Sequence, residues 1–182
     1  ATVPALPARL VSMIPVALVL NIVVGQIIGS VGIPLYLDST GTVLVAALAG
    51  PWAGIATGVL SSLVWSAFNP SVLPFAATSA AVGGLAGVAI KYGALKNIAT
   101  VLLSGAVIGI VVGMLAAPVA AFVYGGTAGV GTGAVVSLLR EMGHSLLQSV
   151  TLQSFISDPL DKALVMLLVW LVLKSLPKRT LA

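Results

Sequence analysis

IPLYLDSTGTVLVAALAGPWAGIATGVL, residues 33–60, carries one charged side chain, Asp38, at the head of an otherwise apolar run. A bilayer core of about 30 Å needs roughly 20 apolar residues at 1.5 Å rise per residue. A helix starting at Asp38 and ending at Gly50 holds only about 12 residues, or roughly 18 Å, which is too short to cross. Starting at Pro34, a residue suited to a first helical turn, lengthens it to about 17 residues and sets Asp38 one turn inside the boundary. An ionised carboxylate at that depth costs a few kcal/mol unless it meets water or a partner. Two readings are open. Asp38, with Ser39 and Thr40, caps a short helix at the interface, or it lines a cavity open to one side of the membrane.

Outward from this stretch, the same chemistry fills the chain. Of 182 residues, 59% are hydrophobic and 7% charged, and the mean hydropathy is +1.21. Such values mark an integral membrane protein, read as one domain over residues 1–182. Cutting at proline, glycine and charge gives six apolar runs. They cover about 10–31, 34–50, 51–68, 75–90, 98–124, where Pro118 is a potential kink, and 159–176. The fold expected is an all-α bundle of six transmembrane helices. The first run is too long for a cleaved leader and reads as a span.

Charge orients the bundle. With six spans, Arg9, Lys91, Lys96, Lys174, Lys178 and Arg179 share one side, and Asp38, Glu141, Asp158 and Asp161 fall on the other with Arg140 and Lys162. Basic loops stay in the cytoplasm, so both termini are expected there and all four acids outside.

The few polar residues limit the chemistry. Cysteine is absent and His144 is the lone histidine, so neither a thiolate nucleophile nor a multi-histidine metal centre is expected. No phosphate-binding loop and no nucleophile elbow occur. The basic residues lack the interleaved aromatics of a nucleic-acid surface. We expect no enzyme, no cofactor, no metal and no nucleic-acid partner.

Candidate binding residues gather on the outer side. Tyr36, Trp65 and Asn69 fall there, although Tyr and Trp also serve as interfacial anchors and Asn69, before Pro70, also ends a helix. Trp52 belongs to the opposite boundary. Residues 137–157, SLLREMGHSLLQSVTLQSFIS, put Arg140, His144 and Gln148 at successive i+4 positions. One continuous helix there presents a polar stripe, facing either water or a ligand. Asp158 before Pro159 reads as a helix N-cap, with Lys162 as its i+4 partner. Asn21 and Gln26, inside the first run, need partners if buried. Glycines at four-residue spacing (25 and 29; 50, 54 and 58; 83 and 87; 105, 109 and 113) prepare close helix contacts.

The segments IPLYLDSTGT, LAGPWAGIATGVLSSLV and FISDPLDKALVMLLVWLVLKSLPKR resemble the substrate-binding S components of energy-coupling factor vitamin transporters, over most of residues 10–180. The resemblance implies a six-helix subunit that binds a vitamin or vitamin precursor near the outer face. It also implies docking on a transmembrane coupling subunit driven by two ATPases. Members often dock through an Ala-xxx-Ala patch on the first helix, and the nearest equivalents here are Ala8 with Ser12, and Ala17 with Asn21. A related LDSxGT pattern is similar to membrane sensory input domains of bacterial signalling proteins, the alternative reading.

Overall fold

The computed structural model describes residues 8–126 and 129–176. Seven α-helices, and no strand, occur among the described residues: α1 (Ala8–Val31), α2 (Thr40–Ala49), α3 (Pro51–Ser66), α4 (Ala76–Lys91), α5 (Ile98–Tyr124), α6 (Val130–Glu141) and α7 (Leu146–Ser175). A 3-10 turn, Pro70–Phe75, leads into α4.

The apolar runs become helices because nothing else satisfies backbone polar groups away from water. Among the described residues, three stretches are long and apolar enough to cross a membrane: Ser12–Val31, Pro70–Lys91 and Ile98–Tyr124. Their outer faces are correspondingly greasy; Val16, Val19 and Ile27 of α1 are all more than half exposed.

The helix pairs α3/α4 and α5/α7 run antiparallel, and glycine sets their spacing. Along α3 and α4, Pro51 faces Gly87, Gly54 faces Gly83 and Gly58 faces Ser79. A methyl group added at Gly83 would overlap the backbone at Gly54. Along α5 and α7, Gly105 meets Ala163, and Gly109 and Gly113 meet Asp158. Lipid tails are as apolar as leucine, so hydrophobic transfer contributes little between such helices, and close van der Waals contact of small residues holds them. The largest apolar cluster joins α2, α4, α5 and α7 around Val43, Val82, Val101, Ile108, Val165 and Met166.

Two expected boundaries are corrected. The second apolar run is helical only from Thr40, leaving a 10-residue α2 of about 15 Å and a non-helical segment, 32–39. That segment needs no helix because side chains from other helices satisfy its backbone, as described below. The sixth run does not start at Pro159. Instead α7 is continuous for 30 residues, about 45 Å, with Pro159 inside it. The helix absorbs the proline where the glycines of α5 admit its backbone, since a side chain at Gly109 would strike Pro159 Cα.

The polar stripe over 137–157 is also corrected. Gly143, at φ 96°, breaks it into α6 and α7. Arg140 lies in the last turn of α6, His144 in the link, and Gln148 in the first turn of α7. Ser145 Oγ accepts from Gln148 N (3.3 Å) and Gln148 Oε1 accepts from Ser145 N (3.0 Å), a capping box that starts α7.

Candidate functional site

The site is built where 32–39 folds back over the end of the bundle. Asn21, fully buried on α1, supplies the first support. Its Oδ1 accepts from Gly41 N at 2.7 Å and from Thr42 N at 3.4 Å, and its Nδ2 donates to Thr42 Oγ1 (2.8 Å) and Ser61 Oγ (2.9 Å). The first turn of α2 is thus capped by a residue 20 positions away. Ser39, the local N-cap residue, makes no side-chain capping bond. Gly41 permits this approach, because a side chain there would overlap the Ala17 carbonyl.

Asp161, fully buried on α7, supplies the second support. Its Oδ1 accepts the backbone N–H groups of Tyr36 (2.8 Å) and Leu37 (2.7 Å). Leu37 has φ 49°, the left-handed region that costs an L-residue about 1–2 kcal/mol. Two hydrogen bonds to one carboxylate hold it there.

Lys162 completes the cluster. Its ammonium donates to Asp161 Oδ2 at 2.6 Å and to Ser39 Oγ at 3.0 Å, and stands 3.9 Å from Asp38 Oδ1. The expected i,i+4 partnership with Asp158 is therefore replaced by one across the segment 32–39. Neighbouring residues on a helix diverge, so the direct Asp161–Lys162 contact requires the long lysine side chain to bend back toward the short aspartate over 32–39. Asp158, also buried, sits in the space left by the absent side chain of Gly113. One ammonium faces three carboxylates, and its shortest bond is to Asp161.

Above this cluster lies a recess of about 60 Å³. Gly25 and Gly29 of α1, Tyr36 and Asp38 of the connecting segment, Trp65 of α3 and Thr132 of α6 form its walls. A methyl group at Gly25 would come within 2.5 Å of the Trp65 ring and 2.9 Å of Asp38 Cβ, so glycine there lets both side chains reach α1. The start of α6 seals the opposite wall, where Gly131 packs on the backbone of Gly32 and Ile33.

Comparison with known protein families, characterised proteins and solved structures finds no match to this chain. The chemistry of the site rests on its own geometry.

Of the seven side chains anticipated as binding residues, the fold brings Tyr36, Asp38 and Trp65 together at the recess. Asn69, exposed, instead caps the 3-10 turn, its Oδ1 accepting from Ser71 N at 3.2 Å and from Ser71 Oγ at 2.6 Å. Arg140, His144 and Gln148 do not line the recess. Of the anticipated docking positions, Ser12 is exposed, Ala17 is buried against α2, and the Ala8 side chain lies outside the described features. Gln26 is exposed on α1, so of the two amides in the first run it is Asn21 that needs buried partners. Sequence reasoning missed Asp161 and Lys162 as the supports of 32–39. Their signal is the density of charge in SDPLDKAL, too great for an interfacial helix cap alone.

Proposed function

We propose that this chain is a membrane-embedded capture subunit for a small, water-soluble solute. In this reading α1, α2, α3, α4, α5 and α7 all cross the membrane, with segment 32–39 completing the short α2. Both termini face the cytoplasm, and the recess faces outward, in a bacterial plasma membrane. Lys91, Lys96 and Lys174, at the end opposite Asp38, support that orientation. The observation that carries the reading is a recess walled by two aromatic side chains and an acid, beneath a non-helical segment whose backbone is held by buried charges. Irregular backbone at membrane depth is tolerated where it lines a cavity, and buried ionisable groups mark solute pathways.

The resemblance to S components makes the solute a vitamin or vitamin precursor. It also makes the partners a transmembrane coupling subunit and two ATPases that drive uptake. The recess, at about 60 Å³, takes one end of such a compound, so the remainder must lie under the outer connections or wait for them to open.

The test is a thermal-shift screen of vitamins and their precursors against the purified protein in nanodiscs, with affinities then measured for any hit. One compound should bind at submicromolar affinity, and Asp38→Ala should weaken it at least about tenfold. His144→Ala should leave it unchanged. A screen without hits, or a hit indifferent to Asp38, would remove the capture reading. Tags that label from outside at both ends would refute the orientation. Copurification with ATPase subunits distinguishes transport from a sensory input domain.

A further inference from the structure

We infer that the recess selects an organic cation that also carries a hydrogen-bond acceptor, with the charged group held between Asp38, Trp65 and Tyr36. This rests on the capture reading above and names its ligand class.

Three observations at the recess converge. First, Asp38 is the only acidic or basic side chain on its walls among the described residues, and its side chain is 35% exposed. Lys162 pairs more closely with Asp161, at 2.6 Å, than with Asp38, at 3.9 Å, so its one charge is shared among the carboxylates. A second carboxylate, Asp158, is buried behind, so the local formal charge is negative. An anion entering here meets repulsion, and a cation meets attraction strengthened by the poorly hydrated surroundings.

Second, the walls beside that carboxylate are aromatic. Indole and phenol faces attract ammonium and pyridinium groups through their quadrupoles, and aromatic rings around a charged acceptor recur in recognition of quaternary nitrogen. Tyr36 and Trp65 come from different elements, and Gly25 provides the room that draws Trp65 to Asp38.

Third, Trp65 Nε1 is buried and has no acceptor among the described residues. A buried donor left unmet is costly and uncommon. The same indole belongs to the recess wall, and a ligand acceptor that reached Nε1 beside the cationic group would satisfy that donor. At about 60 Å³ the recess admits the charged group and its neighbouring atoms, not a large ring system.

The test uses two matched series with the wild-type protein in nanodiscs, measured by titration calorimetry. One is choline, 3,3-dimethylbutan-1-ol and 3,3-dimethylbutanoate. The other is 1-methylnicotinamide, nicotinamide and nicotinate. Within each series shape is held nearly constant while charge runs from positive through neutral to negative. In at least one series the cation should bind about tenfold or more tightly than its neutral partner, with the anion weakest. Asp38→Asn should lower the cation's affinity by about tenfold or more and change the neutral compound's by less than about twofold. Trp65→Phe, which keeps a ring and deletes the N–H, should cost several-fold. Tightest binding of a neutral or anionic member overturns the cation inference while leaving solute capture standing. Absence of binding by all six overturns the inference and weighs against capture itself. Should Asp38→Asn fail to fold, the order within each wild-type series still decides.

Discussion

Asp161 Oδ1 lies 2.7 Å from Leu37 N, joining the middle of the last helix to a left-handed residue 124 positions earlier. The same oxygen takes Tyr36 N, and the other carboxylate oxygen takes Lys162. One side chain thus shapes the wall of the recess and balances the buried lysine.

Removing it should therefore act twice. Asp161→Ala deprives a buried ammonium of its closest carboxylate, leaving Asp38 at 3.9 Å and Asp158 beside it, and frees two backbone donors. Breaking a buried pair from one side costs about 3–5 kcal/mol. We expect a loss of that order in unfolding measured in mixed micelles, together with faster amide exchange at Tyr36 and Leu37. Unaltered exchange at those two amides would contradict the assignment.

Leu37 offers a test of backbone strain separate from side-chain packing. Leu37→Ala and Leu37→Gly both delete the side chain, but only glycine adopts φ 49° without penalty. The glycine variant should be more stable than the alanine variant by about 1 kcal/mol, the reverse of the order in a helix. An alanine variant equal to or better than glycine would mean that 36–38 takes another conformation.

Asn21 should tolerate no apolar replacement. Asn21→Leu strands the Gly41 N–H and deprives Thr42 and Ser61 of their donor. With about 1–3 kcal/mol for each buried group left unmet, a loss of about 2–4 kcal/mol is expected. A double-mutant cycle with Thr42→Val should return a coupling of about 0.5 kcal/mol or more, since the two share a hydrogen bond. Strict additivity would show the contact to be incidental.

Glycine substitutions should divide by what faces them. An added methyl group overlaps a neighbouring backbone at Gly83 and at Gly109, and meets nothing within 4 Å at Gly29. Gly83→Ala and Gly109→Ala should each lower stability by about 1–3 kcal/mol through forced helix separation. Gly29→Ala should be neutral or gain up to about 1 kcal/mol from helix propensity. Equal effects at all three would argue against close packing as the source of the glycine rows.

Composition alone determines that this chain is helical and apolar, because backbone in lipid has no other local way to satisfy its hydrogen bonds. Glycine spacing foretells which faces pack, since Gly54, Gly83, Gly105 and Gly109 all meet a neighbouring backbone closely. Tyr36, Asp38 and Trp65 are legible as candidates because polar and aromatic groups are so scarce. Tertiary structure alone decides where α2 begins and that α7 runs through Pro159. In both places a local rule yields to distant partners: Asn21 and Asp161 satisfy backbone that a helix otherwise would, and the α5 glycines make room for a proline that otherwise ends one. The same distance hides the role of Lys162, whose Ser39 partner is 123 positions away. Periodicity records what a residue needs from its own helix, and it carries no information about which other helix will supply the rest.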